Sequence, residues 1–288
     1  MERNEWPRSS GICTTSFLMN IDIISVKWLL KNNELVGFYT SASNIARPLW
    51  FLSTALGATL LPIISQATSA ADRVSTQKYI QQSIRYAAII LLPLTILLSA
   101  SAPELVQLLY SNRFSSASTP LEVLAFGFLF LSLFTFLSTI IAASGRPKTA
   151  MAFMLMVVPV DILSNLLLIP RYHLLGAACA TALSCFIGMF ADMIYVYRKF
   201  HANLPMISIL KIGIAALFAY LIVATLSGNS FFLPLSYICA LALYLIFLLV
   251  QKEIKSEEVL LLKNIIFRMK VTESCTSNKK PPRGVIGP

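Results

Sequence analysis

Charged residues are scarce in this sequence: Asp, Glu, Lys and Arg together make up 12% of its 288 residues, while hydrophobic residues make up 57%. A soluble domain is typically about 25% charged and about 45–50% apolar. The mean hydropathy is correspondingly high, at +0.74. These proportions exclude an ordinary soluble globular domain and indicate a protein that lies in a lipid bilayer.

Residues that bind metal ions or form disulfides are also few. The two histidines, His173 and His201, are too few and too far apart to suggest a metal site. The cysteines form no CxxC pair, and three of them lie in apolar runs, which is typical of small packing residues. They are Cys13, Cys179, Cys185, Cys239 and Cys275. We therefore predict neither a metal nor a cofactor.

Catalytic motifs are missing as well. The sequence contains no GxSxG, no HExxH, no paired-carboxylate motif and no P-loop. This predicts a protein that is not an enzyme. Without an ATP site of its own, any transport would depend on an ion gradient, on substrate gradients or on a separate ATPase chain.

What the sequence does have is long apolar runs. A helix needs about 20 apolar residues to cross a hydrocarbon core of roughly 30 Å, whereas barrel strands show alternating segments of about 10 residues. We therefore predict an all-α integral membrane protein, a bundle of about eight transmembrane helices between a leader over residues 1–10 and a cytoplasmic basic tail over 251–288. The predicted spans cover residues 11–30, 38–64, 84–109, 121–144, 149–169, 174–197, 206–226 and 231–250.

The formal net charge of +10 is unevenly distributed over the predicted connectors. With eight spans, most cations fall on one side, which the positive-inside rule makes cytoplasmic. These cations are Arg73, Lys78, Arg85, Arg146, Lys148, Arg198, Lys199, Lys211 and those of the tail; Lys31, Arg113 and Arg171 fall on the other side. We predict a multi-pass plasma (inner) membrane protein with both termini in the cytoplasm, in contact with anionic lipids and not with nucleic acid.

Four ionisable residues fall inside predicted spans, where a charge costs at least about 2.5–3.5 kcal/mol at the bilayer centre. Arg47 lies about nine residues into its span, roughly 14 Å deep at 1.5 Å per residue. Its planar fork suits a phosphate or pyrophosphate, and an ion pair with Asp22 or Asp161 suits it equally. Lys27 either snorkels to the interface or lines a cavity. Asp22 needs a partner, and Asp161 suits a proton or cation site or a hydrogen bond to a kinked helix.

The predicted sixth span has small residues at every fourth position: Gly176, Ala180, Ser184 and Gly188. Residues at this spacing share one helix face and allow close approach of a neighbouring helix, so we predict helix packing there. Asp192 continues the same face, and we expect it near the cytoplasmic end of the span, close to water.

Several motifs occur in an order that resembles a known family. After Asp22 and Lys27 come VGFYTSA over residues 36–42, ELVQLLYSNRFSSASTPLEVLAF over 104–126, AASGRPK over 142–148 and NLLLIPRYHLLGAACATALS over 165–184. Each motif is weak alone, but their order and spacing over about residues 20–190 resemble the C-terminal half of lipid-linked oligosaccharide flippases. These form the polysaccharide-export branch of the multidrug/oligosaccharidyl-lipid/polysaccharide superfamily. The chain departs from that pattern at Arg171 and His173, where a glycine is commoner.

This resemblance implies the second lobe of a two-lobe flippase for polysaccharide biosynthesis in the cell envelope. The substrate would be a polyprenyl-pyrophosphate-linked glycan carried across the plasma membrane, with Arg47 and Lys27 holding the phosphate linkage. A single lobe would be incomplete, requiring self-association or a separate N-terminal lobe. Two alternatives remain: a multidrug/toxin extrusion antiporter of the same superfamily with Asp22 and Asp161 as its cation site, or a non-transporting membrane partner subunit.

Overall fold

The computed structural model describes residues 6–70 and 72–200 together with Gly213, and at residues 6–17 it describes the backbone alone. The predicted spans 206–226 and 231–250 and the tail 251–288 lie outside these residues, so the count of eight spans stays a prediction. The predicted leader over 1–10 overlaps the first helix, which begins at Trp6.

The described backbone is helical and contains no strand, which confirms the all-α fold class. A 3₁₀ helix over Asn112–Ala117 lies between the fifth and sixth α-helices. The α-helices are α1 (Trp6–Leu30), α2 (Asn33–Ala46), α3 (Pro48–Ser69), α4 (Arg73–Ala100), α5 (Ala102–Tyr110), α6 (Ser118–Ala143) and α7 (Pro147–Phe200). Four described segments are long and apolar enough to cross a membrane: Asn33–Ser69, Arg73–Ala100, Asn112–Ala143 and Pro147–Phe200.

The helix α7 is two antiparallel helices joined at a break. Its 54 residues would extend about 80 Å if straight, far beyond one bilayer. His173 interrupts it with φ 52° and ψ −125°, a non-helical conformation three residues after Pro170. The Ser184 hydroxyl bonds to Asp161, and Gly188 packs against Val157. In each pair the two residues are equally far along the chain from the bond between residues 172 and 173, as expected for two antiparallel helices that turn there. The two halves cover the predicted spans 149–169 and 174–197.

The helices α2 and α3 form nearly one continuous helix with a break at Pro48. Proline has no backbone N–H, so the ladder loses one bond there, and proline is best tolerated at the first position of a helix. Arg47 keeps helical dihedrals (φ −56°, ψ −33°), and its N–H donates to the Ser43 carbonyl at 2.9 Å. The resulting segment extends five residues beyond each end of the predicted span 38–64.

The predicted span 84–109 is not one helix. The helix α4 begins at Arg73 and ends at Ala100, and Ser101 separates it from α5. Pro103, in the first turn of α5, cannot donate to the carbonyl four residues earlier, which explains the break. At the other end, the Asp72 carboxylate caps α4 by accepting from the Ser75 N–H at 3.1 Å, and hydrogen bonds from Ser75 lower the pKa of Asp72.

The helix α6 is the centre of the bundle. It packs against α7, α3, α4 and α2, and most of its side chains are buried. Large apolar side chains on α7, such as Leu163, Leu167 and Phe190, are instead exposed, as expected where a helix faces lipid. The fold therefore holds α1, α2 and both halves of α7 around one interior region, where the polar groups collect.

Candidate functional site

A polar cluster is buried where α1, α2 and the two halves of α7 meet. We call it the Asp22–Asp161 cluster, and each member is at most 4% exposed. Its members are Asp22 on α1, Tyr39 on α2, Asp161 and Asn165 on the first half of α7, and Thr181 and Ser184 on the second half. Because these elements are far apart in the sequence, only the fold brings the side chains together.

Hydrogen bonds connect the two carboxyl groups through Asn165 and the second half of α7. The Asn165 amide Nδ2 donates to Asp22 Oδ1 at 2.8 Å and to Asp161 Oδ2 at 3.2 Å. The Thr181 hydroxyl lies 2.7 Å from Asp22 Oδ2, and the Ser184 hydroxyl donates to Asp161 Oδ1 at 2.6 Å. One network therefore ties α1 to both halves of α7.

Further oxygen atoms complete the cluster. The Thr181 hydroxyl also lies 3.0 Å from the Ala177 carbonyl and 3.2 Å from the Tyr39 hydroxyl. The Asn165 carbonyl Oδ1 is buried and has no hydrogen-bond partner among the described residues. Carboxylate, hydroxyl and carbonyl oxygens from three elements thus converge on one small volume.

The cluster contains two acids and, in the described part of the chain, no basic partner. The Asp22 and Asp161 carboxyl groups are close enough to accept hydrogen bonds from the same Asn165 amide nitrogen, at 2.8 and 3.2 Å. Among the described residues, neither forms an ion pair with a Lys, Arg or His side chain. Two ionised carboxylates this close in a low-dielectric interior would repel strongly, so both could be ionised together only with a compensating cation. Oxygen donors of this kind suit a hard cation, either a proton or a metal ion such as Na⁺.

The donor atoms do not favour a metal ion that prefers thiolate or imidazole ligands. Within residues 6–70 and 72–200, no group of three or more His, Cys, Asp or Glu side chains is arranged to hold a metal ion. The Asp22–Asp161 cluster has two acids and is completed by neutral oxygens. A weakly held monovalent cation or a proton fits this donor set better than zinc.

Among the described residues, Arg47 forms no ion pair with the Asp22–Asp161 cluster. It occupies the α2–α3 break. Within the described residues, its Nε is buried without an acceptor, and so is Nε1 of Trp50, three residues further along the helix. Residues at this spacing are neighbours on a helix surface. Two buried N–H donors at the α2–α3 break therefore lack an acceptor in the described part of the chain.

Lys27 lies in the last turn of α1, and its side chain is exposed. No ion pair of Lys27 is found within the described part of the chain. The structure thus places Lys27 five residues beyond Asp22 on the same helix and outside the buried network. It does not bring Lys27 and Arg47 into one hydrogen-bonded group.

The small residues Gly176, Ala180, Ser184 and Gly188 are all buried on the second half of α7. A Cβ at Gly188 would lie 2.6 Å from Val157 Cγ2, and one at Gly176 would overlap the Leu168 carbonyl next to the His173 break. Ser184 also donates to Asp161, a contact that the packing prediction did not include. The expectation that Asp192 lies close to water was wrong, because Asp192 is 0% exposed and bonded to Ser138 on α6.

Sequence reasoning missed Tyr39, Thr181 and the polar role of Ser184. Hydroxyl residues in apolar helices commonly bond to their own backbone, so they do not stand out from the sequence alone. One pattern could have found part of the site. Asp161 and Asn165 are four residues apart on one face of a span, and the next span has Thr181 and Ser184 at matching depth on the other side of the turn.

Comparisons with known proteins agree with this architecture. A family model described as lipid II flippase MurJ matches residues 20–247. An uncharacterized membrane protein of Methanocaldococcus jannaschii, MJ1068, is 23% identical over 223 residues, which cover 76% of this chain and 44% of the relative. Agl15 of Haloferax volcanii, a probable low-salt glycan biosynthesis flippase, is 26% identical over 166 residues, which cover 58% of this chain and 34% of Agl15.

The fold is similar to a solved structure as well. Lipid II flippase MurJ in an inward closed conformation matches with a TM-score of 0.74 at 17% identity, over 84% of this chain and 52% of that chain. The chain therefore spans about half the length of that structure, and less than half of the curated relatives named above.

Proposed function

This chain belongs to the lipid II flippase MurJ family, and from that membership we propose that it forms one lobe of a transporter for a polyprenyl-pyrophosphate-linked glycan. The observation that carries the proposal is the family match, which extends over residues 20–247 and includes every element of the Asp22–Asp161 cluster. The family resemblance expected from the sequence is thereby confirmed. A transporter family favours a protein that moves its substrate over one that converts it chemically.

The Asp22–Asp161 cluster would couple transport to a cation. While a proton or Na⁺ neutralises the two carboxyl groups, α1 and α2 can pack against the α7 hairpin through the hydrogen bonds described above. When the cation leaves, the carboxylates repel and favour an arrangement in which the helices separate. A cation gradient can then bias an alternating-access transition, because the cation binds the two states with different affinity. This mechanism gives Asp22 and Asp161 the ion-coupling role.

Arg47, with Lys27, would hold the anionic phosphate linkage of the substrate. Arg47 is supported by its position at a helix break and by its buried Nε, which has no acceptor among the described residues. A guanidinium contributes up to two parallel hydrogen bonds to a phosphate, which a lysine cannot reproduce. Lys27 would add charge without fixed geometry.

Replacing Arg47 by alanine is expected to lower glycan transport about tenfold or more. A hydrogen bond to a charged group contributes about 1.5–3 kcal/mol, and each 1.4 kcal/mol corresponds to a factor of about ten. Arg47→Lys should recover only part of the loss. The measurement is surface glycan in a cell whose own flippase is absent, normalised to the amount of inserted protein.

The matched control for Arg47 is Arg113→Ala. Arg113 is also an arginine near α2, but its side chain is 80% exposed and its pairing with Glu34, at 3.8 Å, is long. Exposed ion pairs contribute little, so transport should be unchanged. Equal losses for both variants, or full activity of Arg47→Ala, would refute the phosphate-binding role.

A single lobe cannot enclose a cavity between two lobes, so we propose that the chain works with a separate first lobe or with a second copy of itself. The test is expression of the whole chain in cells lacking a glycan flippase, alone and together with the first lobe of a related flippase. Restored surface glycan with the chain alone indicates self-association, and restoration only with the added lobe indicates a two-chain transporter. No restoration in either case, despite membrane insertion, would contradict the flippase proposal.

We also propose that both termini face the cytoplasm. The support is the charge of the connectors: Arg73, Arg146 and Lys148 fall on the predicted cytoplasmic side, and Arg113 on the other. A single cysteine placed beside Arg146 should be protected in intact cells from a membrane-impermeant thiol reagent, in a variant without native cysteines. One placed beside Arg113 should react. The reverse pattern would invert the topology.

A further inference from the structure

A third buried acid, Asp192, lies outside the Asp22–Asp161 cluster. Asp192, on the second half of α7, is 0% exposed and continues the face that carries Ser184 and Gly188. Eight residues separate it from Ser184, which is about 12 Å along a helix at 1.5 Å per residue. Its position is therefore distinct from the cluster, two turns away on the same face.

Asp192 has one polar partner among the described residues. The Ser138 hydroxyl on α6 donates to Asp192 Oδ2 at 2.5 Å, and the other carboxyl oxygen, Oδ1, is buried with no hydrogen-bond partner in that part of the chain. An ionised carboxylate usually accepts several hydrogen bonds or pairs with a cation when it is buried. A single hydroxyl does not supply that compensation.

Charged groups on the surrounding elements do not supply it either. Arg85 lies on α4, Arg146 follows α6 and donates to the Tyr195 hydroxyl at 3.1 Å, and Asp161 lies on the facing half of α7. Glu122 is the one Asp, Glu, Lys, Arg or His residue of α6, and its side chain is exposed. Among the α1 side chains that the structure describes, Asp22 and Lys27 are the ionisable ones. In the described part of the chain, none of the basic side chains forms an ion pair with Asp192.

We propose that Asp192 is a second proton-binding site, occupied by a proton while α6 packs against α7 as observed here. A neutral carboxylic acid needs no counter-ion, so one hydroxyl partner is sufficient. A metal ion is disfavoured, because one carboxyl and one hydroxyl provide too few oxygen ligands. Ser138 is a positioning residue that holds the carboxyl group in the α6–α7 interface. Separation of α6 from α7 would admit water and release the proton.

The experiment is infrared spectroscopy of the full chain in lipid nanodiscs near neutral pH, comparing wild type with Asp192→Asn. The carbonyl stretch of a protonated carboxylic acid lies apart from that of a carboxylate. We expect the wild-type spectrum to contain a protonated-carboxyl band that Asp192→Asn lacks and that Glu122→Gln, the control on the exposed acid of α6, retains. Identical spectra for wild type and Asp192→Asn would overturn the proposal.

A second variant, Ser138→Ala, tests the proposal independently in case Asp192→Asn does not fold. Ser138→Ala keeps the carboxyl group but removes its hydrogen bond, so the Asp192 band should remain and shift to higher frequency. A Ser138→Ala spectrum with no shift would also overturn the proposal. Both outcomes are independent of transport, so they do not depend on whether the flippase proposal holds.

Discussion

Gly188→Leu is expected to be strongly destabilising, because Gly188 lies where α6 and the two halves of α7 meet. A Cβ at this position would lie 2.6 Å from Val157 Cγ2 and 3.1 Å from Phe134 Cε2, and both neighbours are buried. Phe134 is a rigid ring on the central helix, so it cannot move aside without displacing its own neighbours. Even the single carbon of alanine therefore requires a shift, and a leucine side chain requires the helices to separate.

The expected loss of stability in Gly188→Leu can be estimated from the known cost of overpacking a core. Inserting methylene groups into a packed core costs about 1–3 kcal/mol, occasionally more. At roughly 2–4 °C per kcal/mol for a protein of 150–250 residues, the apparent melting temperature should fall by about 5 °C or more. Gly188→Ala should cause a smaller loss of the same sign. The measurement is thermal unfolding of the detergent-solubilised chain, followed by helical circular dichroism.

Gly37 provides the matched control. It also lies within a helix, α2, but apart from the local backbone of that helix no atom of the described residues lies within 4 Å of a Cβ built there. Gly37→Ala should leave the melting temperature unchanged or raise it slightly, because alanine is about 1 kcal/mol more favourable than glycine in a helix. If Gly188→Ala and Gly37→Ala melt alike, the close α6–α7 packing is wrong.

Local features of the fold could be predicted from the sequence. The turn after Pro170 follows from proline and from the length of the apolar run, which is too long for one bilayer crossing. The break at Ser101 was missed although Pro103 is visible in the sequence. Hydropathy continues across it, and proline in a membrane helix is compatible with either a kink or a break.

The candidate site could be predicted only in part. Asp22 and Asp161 stand out because a charge inside a span is costly. Their partners do not, because Thr181 lies 159 residues from Asp22 and its bond to Asp22 depends on tertiary packing. Asp192 is an example of what the sequence cannot predict. Its position near the end of a predicted span suggests contact with water, but in the folded protein it is buried and bonded to Ser138 on α6.

Substitution of Asp22 should separate its structural role from its role in cation binding. In Asp22→Asn, the new carbonyl can accept from Asn165, and the new amide can donate to Thr181, whose hydroxyl still has the Ala177 carbonyl as acceptor. The network stays satisfied, but the second carboxylate is gone. In Asp22→Leu, Asn165 and Thr181 lose their short bonds to Asp22, and each weakened buried group costs about 1–3 kcal/mol.

Without the bound cation, we therefore expect Asp22→Asn to melt at or above the wild-type temperature and Asp22→Leu to melt well below it. Both should lower glycan transport at least tenfold. A bound cation stabilises the folded state by about 2.7 kcal/mol at 100 times its dissociation constant. Wild type should therefore melt higher in NaCl than in choline chloride of equal ionic strength if the cation is Na⁺. If the cation is a proton, stability should instead fall as the pH rises, since the folded state binds the proton more tightly than the unfolded chain.

Both Asp22 variants should lose this response to the cation. Asp161 then has no second carboxylate beside it, so there is no repulsion between like charges for a cation to compensate. Glu34→Gln is the control, since Glu34 is an exposed acid on α2 whose removal leaves the cluster intact. It should retain the wild-type response. If Asp22→Asn keeps both full transport and the full cation response, Asp22 and Asp161 do not form the coupling site. The loss of both in Asp22→Asn, without a loss of stability, would assign the cation to the cluster, because hydrogen bonding and packing are preserved in that variant.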